Sequence, residues 1–186
     1  MTILETPLLD CLYHEAVEHD LAASAFWQAY LQYRFPQSEN FAILAEPGHV
    51  QAEDGRCTSR VDIKVYRFEL NTAVLPALLF LEAKRGKKIK ETEKQVLEAA
   101  KPYLRSPYRL PFVYCMVAWG VKARVWVVHQ SRHPQLTALW AESDAGDRVQ
   151  YADAGGHYAV LVHNALCLIK GEEQRELPLE NGPPSR

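Results

Sequence analysis

The stretch 77-ALLFLEAKRGKK-88 decides the fold. Its first five residues form a continuous apolar run, which ends in Glu82-Ala83-Lys84. The run is too short for an amphipathic helix and fits a strand covered on both faces. The sequence therefore predicts a central strand that leaves the core through a carboxylate and an ammonium. Side chains alternate across a strand, so Glu82 and Lys84 share a face, about 7 Å apart.

Working outward on the N-terminal side, 59-SRVDIKVYRFEL-70 alternates Val61, Ile63 and Val65 with Arg60, Asp62 and Lys64, and 41-FAILAEPGHV-50 is a second strand candidate. The Asp54-Gly55 pair in 51-QAEDGRC-57 is a turn signal, so these two stretches read as a hairpin or meander. From about Tyr13 to Arg34 there is no Gly or Pro, and Val17, Leu21, Ala25, Gln28 and Leu31 recur at helical spacing, which predicts one amphipathic helix ending at 34-RFPQSEN-40.

On the C-terminal side, 92-TEKQVLEAAKPYLRS-106 is rich in helix formers, and Thr92 followed by Gln95 has the capping-box pattern, so a helix is expected to begin near Thr92. The β-rich stretch 110-LPFVYCMVAWGVKARVWVVHQ-130, broken at Gly120, predicts a hairpin. The stretch 157-HYAVLVHNALCLIKG-171 leans helical and is closed by Gly171. The expected architecture is a mixed α/β sheet with helices on its faces. A single domain over residues 1–170 is expected, with a flexible polar and Pro-rich tail over 171–186.

Composition is that of a soluble globule: 48% hydrophobic, 24% charged and 10% aromatic residues. The net charge of -2 gives no global basic field, so a polyanion would need a local site. The densest candidate is Lys84, Arg85, Lys87, Lys88 and Lys90, five cations in seven residues. The four cysteines, Cys11, Cys57, Cys115 and Cys167, have no metal-ligand spacing. No signal peptide or transmembrane-length stretch is evident, so an intracellular protein, cytoplasmic or nuclear, with reduced thiols and no membrane association is expected. No phosphate-loop motif and no G-x-S-x-G elbow occur. His129 and His133 read as surface residues, and Trp119, Trp126 and Trp140 as core aromatics.

If the Asp62 strand pairs with the Glu82 strand, the two carboxylates meet across the ladder and offer oxygen donors to a hard divalent cation. A lysine beside that pair can hold a water or offset charge on a phosphate. Each residue also has a plainer role. Asp62 fits a wet strand face, Glu82 with Lys84 a surface ion pair worth about 0–1 kcal/mol, and Gln95 a cap partner.

An acid on one strand, Glu-x-Lys leaving the next, then a helix with Gln95, resembles the PD-(D/E)XK nuclease superfamily over about residues 13 to 128. Within it, 26-FWQAYLQYRFP-36, 43-ILAEPGHV-50, 60-RVDIKV-65 and 79-LFLEAKR-85 resemble the short fungal PD-(D/E)XK nuclease-like proteins. The resemblance implies a three-layer α/β/α restriction-endonuclease-like core with a central mixed sheet. Asp62 then matches the metal-binding acid, Glu82 the second acid, Lys84 the catalytic lysine and Gln95 a polar residue of the following helix. Glu46 matches an accessory metal ligand, and Glu15 and Glu18 remain alternatives on the first helix. Arg60-Val61 stands where the family often has a proline before Asp62.

The implied activity is Mg2+- or Mn2+-dependent hydrolysis of nucleic-acid phosphodiesters, DNA first, with Arg85, Lys87, Lys88 and Lys90 along the phosphate backbone. A homodimer or a protein partner is expected by analogy with other small nuclease domains. The alternative is a catalytically idle domain of the same fold that binds a protein or a nucleic acid.

Overall fold

The computed structural model describes residues 3–19, 22–45, 62–71, 73–84, 88–105, 111–141 and 146–171. The elements are, in order, α1 (Pro7–Glu18), α2 (Ala23–Arg34), β1 (Phe41–Ala45), β2 (Ile63–Arg67), β3 (Ala77–Lys84), α3 (Ile89–Arg105), β4 (Phe112–Trp119), β5 (Lys122–His129), β6 (Thr137–Ala138), β7 (Ala152–Asp153) and α4 (Ala159–Lys170). The strands form one mixed sheet in the order β1-β2-β3-β4-β5-β6, with β7 also paired to β5. Among the described residues, β3 and β4 run parallel and the other pairs are antiparallel.

The stretch 77–84 is β3, and it lies between β2 and β4. Its alternation splits the core in two. Leu79 and Leu81 join Val65, Met116 and Val125 beneath α1, α2 and α4, whereas Phe80 joins Cys115, Val117 and Trp126 beneath α3. Both faces are covered, so β3 needs no polar alternation until its exit. The parallel β3–β4 pair needs a crossover, and α3 supplies it.

The expected helix over Tyr13–Arg34 is two helices. Thr6 starts α1 earlier: its hydroxyl accepts the Leu9 N–H at 3.2 Å and Pro7 occupies the first turn, a start signal that the Gly- and Pro-free stretch concealed. The chain leaves α1 at His19 in an extended conformation (φ -128, ψ 105). α2 then buries a separate stripe of Phe26, Trp27, Tyr30 and Leu31. The expected stripe is corrected as well: Leu31 is buried, but Val17 is 57% exposed, Ala25 is exposed, Gln28 is half-buried and Leu21 lies outside the described residues, because each helix turns its own face to the core, Leu9 and Ala16 in α1 and Phe26, Trp27 and Tyr30 in α2.

The expected start at Thr92 also shifts. α3 begins at Ile89, and the Thr92 hydroxyl donates to the Lys88 carbonyl at 3.1 Å inside the helix, so it caps nothing. Burial of Ile89, at 5% exposure, extends the apolar stripe one turn N-terminally, through Val96 and Ala100 to Leu104.

The β4–β5 hairpin is as expected, with Gly120 at φ +58, where a II′ turn takes glycine. Trp27 Nε1 donates to the Gly120 carbonyl at 2.8 Å and clamps α2 to this turn. α4 ends at Gly171 in the left-handed region (φ +84), whose N–H reaches the Cys167 and Leu168 carbonyls. The two-residue strands β6 and β7 carry too little pattern to be seen in sequence. Residues 172–186 of the expected tail lie outside the described residues, as do Glu46 and the Asp54-Gly55 turn.

Candidate functional site

The β2–β3 register pairs Ile63 with Leu81, so the next residues toward the exit of β3 are Asp62 and Glu82. A direct contact fixes them side by side: the Ala83 N–H donates to Asp62 Oδ2 at 2.7 Å, placing that carboxylate against the peptide that follows Glu82. On the other side Glu82 pairs with Val117, and Val117 with Arg124. A single row thus crosses four adjacent segments as Asp62, Glu82, Val117 and Arg124. Asp62 is half-buried, Glu82 is 1% exposed and Arg124 is fully buried.

One row further in, the matching positions are Lys64, Phe80, Cys115 and Trp126. Apart from Lys64, whose Nζ lies 5.5 Å above the Tyr103 ring, this row is apolar. The charged groups of the α3 side therefore gather where β3 leaves the core. A carboxylate in such a position costs desolvation unless a cation or hydrogen-bond donors face it; Asp62 has the Ala83 N–H, and the row also carries Arg124, two strands from Glu82.

Of the remaining sequence candidates, Lys84 is the last residue of β3, two positions after Glu82. Gln95 is exposed on the flank of α3 that also carries Ala99 and Tyr103. That flank faces β2 and β3, because Tyr103 packs edge-on against Phe80 at 4.7 Å and beneath Lys64. Lys88 is exposed and pairs with Glu91 at 3.3 Å, and Lys90 is exposed on the first turn of α3. Arg85 and Lys87 lie outside the described residues, as does Glu46. Glu15 and Glu18 are exposed on α1, which covers the opposite face of the sheet from Asp62, so neither joins this row.

Sequence reading missed a second polar group beside the row. Glu93, 2% exposed on the inner face of α3, accepts the Tyr151 hydroxyl at 2.9 Å and the Gly146 N–H at 2.8 Å. Burial pushes the Glu93 carboxyl above its ordinary value, and the two hydrogen bonds, the Arg124 guanidinium and Lys90 pull it back in part. Burial also holds the Tyr151 phenol up, so it stays a donor. Arg124 lies 5.3 Å from the Trp126 ring, a cation–π contact within the same layer. The signal in the sequence was Glu93 and Arg124 at positions whose periodicity demands burial, each of which reads alone as an ordinary surface charge.

His129 and His133 are exposed, and Trp126 and Trp140 are buried core residues, as expected. Trp119 is half-buried under the Arg148 guanidinium at 4.6 Å. Cys11, Cys115 and Cys167 are free thiols.

The donor chemistry of Asp62 and Glu82 fits a hard divalent cation, which takes carboxylate oxygens and keeps several waters. Among the described residues, no group of three or more His, Cys, Asp or Glu side chains is arranged to hold a metal, so the pair would rely on water or on Glu46 for further ligands. No helix among the described residues is long and apolar enough to cross a membrane. In comparisons with known proteins, no family model, no curated protein and no solved structure matches the chain.

Proposed function

We propose that the protein is a divalent-metal-dependent nuclease of PD-(D/E)XK type that hydrolyses phosphodiester bonds of nucleic acid, DNA first. The observation that carries this reading is the Asp62–Ala83 contact, which sets Asp62 and Glu82 side by side at the end of a central strand whose last residue is Lys84. The order of elements supports it: two helices, three antiparallel strands, a crossover helix and a fourth strand parallel to the third.

Asp62 and Glu82 would hold Mg2+ or Mn2+. When bound there, the metal would polarise a phosphoryl oxygen as a Lewis acid. Lys84, the last residue of β3, would hold the attacking water by hydrogen bonding and offset negative charge developing on the phosphate. Gln95 would orient the phosphate or the water from α3. The exposed Lys88 and Lys90, with Arg85 and Lys87 before them, would meet the backbone by charge alone, without reading sequence.

One observation favours the rival reading of a catalytically idle binding domain: Glu82 is 1% exposed, so a cation could reach it only if its surroundings moved. Thermal unfolding of wild type and Asp62→Asn with and without millimolar Mg2+ or Mn2+ separates the two. At a hundredfold excess over Kd, binding stabilises by about 2.7 kcal/mol, a rise of roughly 5 to 11 °C for a chain of this size. The nuclease reading expects that rise in wild type only, together with metal-dependent cleavage of DNA or RNA that Lys84→Ala abolishes. A shift of zero in wild type, with no cleavage of either nucleic acid, refutes it.

A further inference from the structure

On the face of the sheet opposite the carboxylate row, α2 and α4 bring together a second cluster of reactive groups. Arg34, in the last turn of α2, donates from Nη2 to Cys167 Sγ at 3.0 Å. His163 precedes Cys167 by one helical turn on α4 and so shares its face. His163 Nδ1 lies 3.5 Å from Glu5 Oε1, and the other oxygen of Glu5 accepts the Tyr33 hydroxyl at 3.0 Å. Cys167 itself is half-buried, so small molecules have access to it.

A separate feature points to what the cluster would take. Tyr30 is fully buried, and its hydroxyl has no hydrogen-bond partner among the described residues. That hydroxyl lies within electrostatic reach of Arg34, Glu5, Cys167 and Tyr33. Burial holds the phenol protonated, so Tyr30 is a donor in need of an acceptor. Arg34 thus bonds the sulfur directly, Tyr30 on the same helix lies within its electrostatic reach, and His163 shares its face of α4, with Lys170 further along α4 tied to Glu39 at 2.7 Å. This is a setting for a negatively charged sulfur that acquires an oxygen.

We propose that Cys167 is a peroxide-reactive thiol, a modification site that forms a sulfenic acid held by Arg34 and Tyr30. A guanidinium bonded to sulfur favours the thiolate, the nucleophilic form. The thiolate attacks one oxygen of a hydroperoxide: an S–O bond forms, the O–O bond breaks, and sulfur is oxidised by two electrons as the peroxide is reduced. The departing hydroxide or alkoxide takes up one proton from solvent, to which the half-buried Cys167 is open, and leaves as water or alcohol. The oxygen added to Cys167 then offers the Tyr30 hydroxyl the acceptor it needs. This inference is independent of the metal-site reading.

The other described cysteines are internal controls. Cys11 is exposed, and Cys115 is fully buried with its thiol pushed up by burial. The full chain is treated with hydrogen peroxide and dimedone near neutral pH, and each cysteine peptide is followed by mass spectrometry. Cys167 is expected to label about tenfold faster than the more exposed Cys11. R34Q should slow Cys167 about tenfold, and R34K should keep most of the rate, because charge rather than packing is at work. Tyr30→Phe should leave alkylation by iodoacetamide within about twofold while shortening the life of the sulfenic acid. Equal or slower labelling of Cys167 than of Cys11 overturns the proposal, whether or not R34Q folds. So does a folded R34Q that labels at the wild-type rate.

Discussion

Replacing Glu93 by Ala tests whether the buried polar group beside the row holds α3 in place. The substitution removes the acceptor of two hydrogen bonds, from Tyr151 at 2.9 Å and from Gly146 at 2.8 Å, and takes a negative charge away from the fully buried Arg124. Breaking a buried charged network from one side costs about 3–5 kcal/mol, because the partners left behind are desolvated and uncompensated. At about 2–4 °C per kcal/mol for a chain of this size, Tm should fall by roughly 6 to 20 °C. Urea unfolding at constant m-value gives the free energy directly. Tyr151→Phe alone should cost about 1.5–3 kcal/mol, since its hydroxyl donates to a carboxylate. The double variant should cost less than the sum by at least about 0.5 kcal/mol, as for groups in direct contact. A loss below about 1 kcal/mol in Glu93→Ala, with additive behaviour, would mean that the carboxylate is effectively solvated and that the network does not hold the helix.

The same carboxyl predicts a pH slope. Its value in the folded protein is raised above 4.5, chiefly by burial, so the folded state holds more protons than the unfolded one in that window. Its contribution to stability is full below 4.5 and declines as pH rises through the raised value, so wild type should lose stability with pH faster than Glu93→Gln over that window. Trp27→Phe, which loses the 2.8 Å bond to the Gly120 carbonyl and leaves space behind it, should cost at least about 2 kcal/mol in urea unfolding. Gly171→Ala should cost about 1 kcal/mol by thermal unfolding. The backbone there is at φ +84, and among the described residues an added Cβ would meet only Arg67 Nη1 at 3.8 Å, so strain acts without a clash.

The strands were legible wherever a pattern of several residues had one explanation. β3 runs from Ala77 to Lys84, the apolar run with the triplet that ends it, and the β4–β5 hairpin turns at Gly120. Helix ends were less legible because they rest on single residues. Thr6-Pro7 carried the start of α1 outside the periodic stretch, and Thr92 had the composition of a cap while burial of Ile89 had already begun the helix. Of the candidate site, the adjacency of Asp62 and Glu82 was legible because it depends only on register and parity. Glu93 and Arg124 were not, because burial of a charge depends on partners from β5 and the 146–151 segment, far away in sequence. The Arg34–Cys167 contact was invisible for the same reason, joining two helices separated by the whole sheet-forming stretch.

The parallel pairing of β3 with β4 also governs how the chain acquires its core during synthesis. β4 and β5 close locally through a tight turn, so they can form as soon as both have emerged, whereas β3 must wait for α3 and β4 before its second edge is paired. Until then this largely apolar strand presents an open edge, which makes the nascent chain prone to association at that stage. Burial of Glu82, which needs neighbours on both sides of β3, is therefore a late event, and a ribosome-bound fragment ending before β4 would carry every sequence motif of the candidate site without its geometry.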